Sequence, residues 1–279
     1  MANHPLPSMI PLEDNYTDVL AKAQRGLKLS DETILSASAL SLPVWNNLKE
    51  GNQDEEALQQ VAAVLQLDGP SLIAMAKGES VPPAIDLDFF AAFNTPYKDM
   101  TVNSYLIWNP ETKEAVAFDT GANADPLLAL LQSEGLTLKL LLLTHGHGDH
   151  ILELDRILEK TGAEAWISSA EAVERVHTFH AGHSFQCGGM MIFTRLTCGH
   201  SPGGITFVIS PFNKPLAIVG DALFARSMGG GMVSYADALR TNREEIFTLL
   251  DDTVLAPGHG PLTTVAEEKK NNPFFPEFK

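Results

Sequence analysis

Cysteine is scarce in this chain, which has only Cys187 and Cys198 among its 279 residues. Two cysteines that do not form a C-x-x-C pair exclude a disulfide-rich scaffold and a zinc site built from cysteines. Long apolar runs are also missing, so the sequence predicts no membrane-spanning helix. Because an early basic segment followed by an apolar stretch is absent as well, we expect a cytoplasmic protein.

Basic residues are few too. The sequence has 19 Lys and Arg against 35 Asp and Glu, which gives a formal net charge of −16. A field of this sign repels polyanions at long range, so we expect a small-molecule substrate rather than nucleic acid. The hydrophobic fraction of 44% is enough for a sizeable core, and the length predicts one large domain with a smaller one beside it.

The most informative segment is Leu140–His150, which reads L-L-L-L-T-H-G-H-G-D-H. Its apolar part predicts a strand buried on both faces, which ends in a loop rich in metal-binding side chains. Alternation turns His145, His147 and Asp149 toward one side, and the intervening glycines allow the backbone to bend tightly. Imidazole and carboxylate groups at this density indicate a site for zinc, iron or manganese.

This pattern resembles the H-x-H-x-D-H signature of the metallo-β-lactamase superfamily of metal-dependent hydrolases. The resemblance implies three further ligands in order downstream, each after another apolar segment. All three are present: His200 in C-G-H-S-P-G-G, Asp221 in V-G-D-A-L-F and His259 in A-P-G-H-G. The resemblance covers roughly residues 85–279.

The resemblance implies a dinuclear enzyme with two divalent cations, zinc first and iron or manganese as alternatives. Two such ions share a water and lower its pKa toward ~7, which provides hydroxide at neutral pH. Asp149 is the expected catalytic residue, because it would bind metal and orient that hydroxide, and no Ser or Cys nucleophile is needed. The implied ligands are His145, His147 and His200 for one ion, Asp149, His150 and His259 for the other, and Asp221 as the bridge.

Asp119, in A-F-D-T-G-A at the end of another predicted strand, matches an early acidic motif of the same superfamily. It is a candidate hydrogen-bond partner for a ligand histidine. The alternative is a turn aspartate before Gly121.

The amino-terminal part of the chain differs from the rest. Ser, Gly and Asn interrupt its apolar periodicity and predict five short helices near Tyr16–Gly26, Asp31–Ala39, Pro43–Glu50, Asp54–Leu65 and Ser71–Lys77. The Pro-containing stretch Glu79–Asp88 predicts a linker. We therefore divide the chain into residues 1–80, a small helical domain, and residues 81–279, a catalytic domain.

The apolar order of the helical domain resembles the helix-turn-helix domain of Cro and phage-repressor type regulators, with Pro43–Glu50 as the recognition helix. DNA binding depends on Lys and Arg, but Tyr16–Gly78 has five basic and eight acidic residues. Trp45, expected to be exposed on that helix, is not a phosphate contact. We expect this domain to form a homodimer or to cover the active-site mouth, with DNA binding as the alternative.

The sequence of the catalytic part predicts an α+β fold, because helices and strands are both expected around the strand that precedes the metal-binding loop. These elements are hairpin strands at Val102–Trp108 and Ala115–Asp119, a helix at Ala124–Glu134 and a helix at Ile151–Lys160. The resemblance implies an αββα sandwich with the metals at one rim. Further strands are expected at Ala165–Ser168, Met190–Leu196, Ile205–Ser210, Leu216–Val219 and Thr253–Leu255.

The segment Pro257–Phe275 resembles the carboxyl-terminal part of short glyoxalase II-like hydrolases, which cleave thioesters such as hydroxyacylglutathione. That resemblance implies a thioesterase, and a thiolate leaves without a dedicated general acid. The chain departs from the branch at Gly230 and Met232, where an Arg and an Asp are usual; Arg226 and Arg240 are the nearby cations. Two alternatives stay open: a persulfide dioxygenase-like oxidoreductase with one iron, and a regulator whose metal domain senses a ligand.

Overall fold

The computed structural model describes residues 10–279. Five helices form its amino-terminal part, as the sequence predicts, and the first nine residues of the proposed unit 1–80 lie outside the described part. Local chemistry explains where the helices begin, because the side chains of Asn15, Ser30, Asp54 and Asp68 each accept a backbone N–H of the first turn. The helices are α1 Tyr16–Leu27, α2 Asp31–Ser38, α3 Leu42–Lys49, α4 Glu55–Val64 and α5 Gly69–Ala76.

The rest of the chain forms two six-stranded sheets. The first has the order β1-β2-β3-β4-β5-β6 and the second β12-β11-β10-β9-β8-β7. The first comprises β1 Phe90–Tyr97, β2 Met100–Trp108, β3 Glu114–Phe118, β4 Thr137–Leu142, β5 Glu164–Ser168 and β6 His177–Phe179. The second comprises β7 Ser184–Cys187, β8 Met190–Leu196, β9 Ile205–Ser210, β10 Leu216–Gly220, β11 Val254–Pro257 and β12 Thr263–Thr264.

Five helices accompany the sheets: α6 Asp125–Glu134, α7 Gly148–Ile151, α8 Leu154–Thr161, α9 Tyr235–Thr241 and α10 Val265–Asn271. A π-helical turn, Asn242–Ile246, continues α9. The single helix expected at Ile151–Lys160 is interrupted, since α7 ends at Ile151 and α8 begins at Leu154. The predicted end of that segment at Gly162 is correct, and this glycine has the left-handed φ of 68° that terminates helices without strain.

The two sheets face each other across an apolar layer that includes Phe118 of β3, Phe207 of β9 and Ile218 of β10. The outer face of the first sheet packs on α6 and α8, through Leu131 and Ile157. Helices therefore cover a two-sheet sandwich, and the predicted αββα arrangement of the α+β class is confirmed.

The outer face of the second sheet packs on the amino-terminal helices. Val219 of β10 and Leu255 of β11 belong to the same buried apolar cluster as Leu20 of α1 and Leu58 of α4. The helices α1–α5 thus supply much of the helical layer on this side, and their core is continuous with that of the sandwich. Independent folding of the units 1–80 and 81–279 stays a prediction.

Trp45 of α3 is completely buried, so the expectation that it is exposed was wrong. Its indole Nε1 donates to Asp31 Oδ1 at 2.9 Å, and Asp31 also pairs with Lys49 at 2.9 Å. Trp45 has the largest apolar area of any residue in α3. Burying that area is favourable, which explains why this side of α3 faces the neighbouring helices. No helix between residues 10 and 279 has the length and apolar character needed to cross a bilayer.

Candidate metal centre

The structure brings together all seven residues that the sequence singled out. Four lie on the loop and short helix that follow β4, and the others follow β8, β10 and β11. These strand ends meet at one rim of the sandwich. Three overlapping sets have donor atoms within 4.8 Å of one another: His145, His147 and His200; His145, His150 and Asp221; Asp149, His150 and His259. We call the first set the first triad and the third set the second triad.

Asp221 lies between the two triads. Its Oδ2 is 3.3 Å from His200 Nε2 and 3.4 Å from His259 Nε2, while its Oδ1 is 3.3 Å from His150 Nε2. The side chain of Asp221 is only 7% exposed. One carboxylate therefore contacts imidazoles of both triads from inside the protein.

Hydrogen bonds orient three of the histidines. Nδ1 of His150 donates to Asp119 Oδ2 at 2.8 Å, Nδ1 of His259 to the Thr101 carbonyl at 2.7 Å, and Nδ1 of His200 to the Gly230 carbonyl at 3.0 Å. Since a carboxylate or carbonyl oxygen only accepts, each Nδ1 carries the proton. The Nε2 of each ring is then the atom available to a metal ion.

Asp119 connects the two triads through hydrogen bonds. It accepts from the Thr144 hydroxyl at 2.8 Å as well as from His150, and this Thr144 hydroxyl is 3.0 Å from His145 Nδ1. A hydroxyl has a single proton, which Thr144 gives to Asp119, so His145 Nδ1 must donate to Thr144. The interpretation of Asp119 as a partner of a ligand histidine agrees with this geometry, although Asp119 also has the turn-like φ of 55°.

Two residues that hold the site were missed by sequence reasoning. Glu171, in the turn after β5, accepts from the backbone of Gly146 at 3.2 Å and of Gly203 at 2.7 Å, so it connects the loops of His145 and His200. Asn103 of β2 donates to the carbonyls of Pro257 and Gly260 on either side of His259, at 2.9 and 2.8 Å. Each is a single polar residue outside any motif, so no signal in the sequence marks it.

The electrostatics of the histidines differ across the site. Burial lowers the pKa of His145 and of His200, and neighbouring imidazoles add to this effect. Burial is the largest single effect on His150 and His259 and acts against their protonation, but the charge of Asp221 together with the other nearby charges and hydrogen bonds outweighs it and raises their pKa values to about 10 and about 11. Asp119 adds to the effect at His150, and Asp149 at His259.

The donor set fits divalent metal ions. His150 Nε2 and Asp221 Oδ1 are buried without a hydrogen-bond partner, which is costly unless a cation or proton satisfies them. His147 Nδ1 faces His145 Nε2 at 3.0 Å and His200 Nε2 at 2.9 Å, so three ring nitrogens converge on one point. Imidazole and carboxylate donors in this arrangement suit zinc, iron or manganese.

The cations considered as substrate contacts are engaged elsewhere. Arg226 is 1% exposed and pairs with Glu268 at 2.8 Å and Glu267 at 2.6 Å, so its role is inside the fold. Exposed Arg240 pairs with Asp237 at 2.9 Å and Glu244 at 2.7 Å. Neither arginine takes the place of the Arg that is usual at position 230, beside His200.

Known proteins are similar to this chain in sequence and fold. Hydroxyacylglutathione hydrolase GloC of Haemophilus influenzae is 29% identical over 197 residues, which cover 62% of this chain and 92% of the relative. The mitochondrial persulfide dioxygenase ETHE1 of Homo sapiens is 32% identical over 179 residues, which cover 61% of this chain and 70% of the relative. The crystal structure of the BLEG-1 B3 metallo-β-lactamase superposes with a TM-score of 0.60 at 28% identity, covering 66% of this chain and 99% of that one.

The family model of the metallo-β-lactamase superfamily matches residues 97–259, which include both triads and Asp221. Helices α1–α5 lie before the matched region. The chain belongs to the metallo-β-lactamase superfamily, whose members are generally metal-dependent hydrolases.

Proposed function

We propose that the protein is a dinuclear metallohydrolase that cleaves a thioester or a related small ester. The first triad would hold one divalent cation and the second triad another, with Asp221 bridging them. Zinc is our first choice, with iron or manganese as alternatives. The position of Asp221 carries this proposal, because its two oxygens face Nε2 atoms of both triads at 3.3 to 3.4 Å.

Two divalent cations in such a site lower the pKa of a water molecule and polarise the bond under attack. The chain itself supplies an ionised carboxylate beside that position. Burial opposes ionisation of Asp149, but the hydrogen bond with His259 and the charge of His150 outweigh it and lower the pKa of Asp149. Asp149 therefore stays ionised at neutral pH and can orient the attacking water by accepting a hydrogen bond from it. Asp119 and Thr144 keep the histidine rings in the tautomers that face the centre.

A thioester is favoured as the substrate for chemical reasons. A thiolate is a good leaving group, so hydrolysis needs no general acid, and we assign none here. The similarity to a hydroxyacylglutathione hydrolase supports the same class. Because Arg226 and Arg240 are held in ion pairs with glutamate and aspartate, we do not assign them to the carboxylates of glutathione.

The first test is metal content per chain, measured on protein purified without chelator, together with turnover of a lactoylglutathione-type thioester. Two zinc-like ions and turnover are the expected result. A series of acyl thioesters with different thiols would then identify the leaving group. A metal-free protein that hydrolyses none of them would overturn the proposal.

The second candidate is a mononuclear iron enzyme resembling a persulfide dioxygenase. Its support is the 32% identity to the human persulfide dioxygenase. Two histidines and an aspartate would suffice for that iron, which would leave the second donor set unfilled. One iron per chain and oxygen uptake with a persulfide, without thioesterase activity, would favour this candidate.

For the amino-terminal helices we keep homodimerisation as a proposal, and a cytoplasmic location for the protein. A helix-turn-helix regulator is the weaker alternative, because Tyr16–Gly78 has five basic residues against eight acidic ones, whereas binding to duplex DNA depends on Lys and Arg. Sedimentation of the full chain tests the dimer. Salt-dependent binding to duplex DNA would favour the regulator.

A further inference from the structure

Helix α1 reaches the loop that begins at Asp221. Lys22 of α1 donates from Nζ to the Met228 carbonyl at 2.9 Å and forms an ion pair with Asp14. Asp14 also accepts from the Ser227 hydroxyl. Asp14 is 8% exposed and Ser227 is fully buried. We call these four residues the Lys22 cluster.

The same part of the chain contacts the surroundings of His259. The Lys22 ammonium lies 5.0 Å from the centre of the Phe224 ring, and Phe224 packs edge-on against the His259 ring at 5.5 Å. Glu13 Oε2 is 3.9 Å from His259 Nδ1. The backbone of Gly260 also lies close to this segment, since an added Cβ would be 3.2 Å from the Glu13 nitrogen, a tight contact. Residues 13–22 therefore contact both the Asp221 loop and the His259 loop.

The Lys22 cluster fixes the far end of a short, rigid loop. Phe224 and Ser227 exchange both of their backbone hydrogen bonds at 3.1 Å, so the loop from Asp221 to Met228 has little freedom of its own. The side chain of Lys22 is only 14% exposed. A largely buried ammonium group is stable only when it has hydrogen-bond partners of defined geometry, and Asp14 and the Met228 carbonyl provide them.

We propose that Lys22 is a positioning residue of the metal centre, and that α1 holds Asp221 in place through the Asp221–Met228 loop. The helices α1–α5 would then be a fixed part of the hydrolase, although they precede the region that matches the family model. This inference rests on the proposed dinuclear centre. It gives the helical region a role that needs neither DNA nor a second subunit.

The test compares Lys22→Met with Lys28→Met in the full-length protein. Lys28 ends the same helix, is exposed and forms no ion pair with another described residue. Zinc affinity is measured by competition with a chromophoric chelator, well below the melting temperature, and kcat and KM are measured on the same samples. We expect Lys22→Met to weaken zinc binding on the order of 10-fold and to lower kcat with little change in KM. This is the lower end of the effect of a residue that hydrogen-bonds a metal ligand directly, because Lys22 acts on Asp221 through the loop. Lys28→Met should match the wild type.

Two further variants keep the test decisive if Lys22→Met does not fold. Lys22→Arg retains a donor to Asp14 and to the Met228 carbonyl and should recover zinc affinity. Ser227→Ala removes only the hydrogen bond to Asp14 and should weaken zinc binding to a smaller extent.

Wild-type zinc affinity in folded Lys22→Met would overturn the inference, as would a lower melting temperature with unchanged affinity and kcat. If Lys22→Met does not fold, wild-type affinity in Ser227→Ala would overturn it equally. A wild-type protein that binds none of zinc, iron and manganese would instead show that the proposed function is wrong.

Discussion

The two triads of the metal centre share Asp221 but differ in charge. In the first triad, burial lowers the pKa of His145 and of His200, so both are neutral near pH 7. In the second triad, burial again opposes protonation, but the charge of Asp221 together with the other nearby charges and hydrogen bonds outweighs it and raises the pKa of His150 to about 10 and that of His259 to about 11. Two carboxylates increase this difference: Asp119 accepts a hydrogen bond from His150, and Asp149, itself a member of the second triad, lies 3.3 Å from His259 Nε2.

This difference shows that ligand type alone does not determine how a site takes up metal. In the first triad, His145 and His200 offer neutral imidazole nitrogens that can bind a cation without first losing a proton. The second triad must release protons before its imidazoles can bind one. We therefore expect the first triad to fill first at neutral pH, and the second to fill as protons leave.

Gly258→Ala should have the largest effect, because it disturbs Asp221 and with it both triads. A Cβ on Gly258 would lie 2.1 Å from Asp221 Oδ1 and 2.6 Å from His150 Cε1, closer than atoms can approach. We expect loss of most bound metal and at least a ~1000-fold fall in turnover, since removal of a whole catalytic unit has effects of this order. Metal analysis and circular dichroism of the variant provide the measurement. A folded Gly258→Ala protein with wild-type metal content would contradict the geometry.

Asp149→Ala should affect the second triad alone. It removes the carboxylate that lies 3.3 Å from His259 Nε2, so we expect the fold and the first metal to remain while turnover falls at least ~100-fold. Asp155→Ala is the control, because Asp155 belongs to an exposed ion pair with Arg175. Steady-state kinetics and metal content are compared for both variants. Substantial turnover in Asp149→Ala would exclude its proposed role.

The difference in protonation should appear as a difference in proton release. At pH 7.5, the first zinc equivalent added to chelator-treated protein should release few protons from histidine, and the second up to one each from His150 and His259. The apparent affinity of the second site should rise up to ~10-fold per pH unit for each proton displaced, as linkage requires. Calorimetry in buffers of different ionisation enthalpy measures this release. If both zinc equivalents release the same number of protons, the two triads do not differ in protonation.

Glu171→Ala should affect the first triad and have the smallest effect. It removes the carboxylate that connects the backbone of Gly146 with that of Gly203. We expect the affinity of the first site to fall on the order of 10-fold while the second site is less affected. Glu174→Ala is the matched control, since Glu174 is exposed in the same segment. If both variants bind zinc equally well, Glu171 does not position the first triad.

Much of the site was predictable because its residues follow apolar segments that form strands. Strand ends are visible in a sequence, and residues 145–150 are dense enough to identify by themselves. Asp119 was found in the same way. Glu171 and Asn103 were not, because each acts through backbone groups of loops that are distant in sequence.

The packing of the amino-terminal helices was harder to predict than their existence. Apolar periodicity shows that α1 and α4 have a buried face, but it does not show what covers that face. Trp45 and Arg226 illustrate the limit: the sequence pattern predicted an exposed Trp45 on α3 and identified Arg226 only as a cation near Gly230, while the fold buries both. Burial of Arg226 depends on Glu268, which is 42 residues away in the sequence.

The continuous core of α1–α5 and the second sheet has a consequence for how the protein is made. The helices leave the ribosome first, but the apolar residues that cover them include Val219, Leu255, Phe274 and Phe275. Contacts of such long sequence separation form slowly, because the intervening chain must be ordered before they can be made. During synthesis the apolar face that includes Leu20 and Leu58 therefore lacks its final partners until β10, β11 and residues 274–275 have been made, and it is exposed to non-native contacts until then.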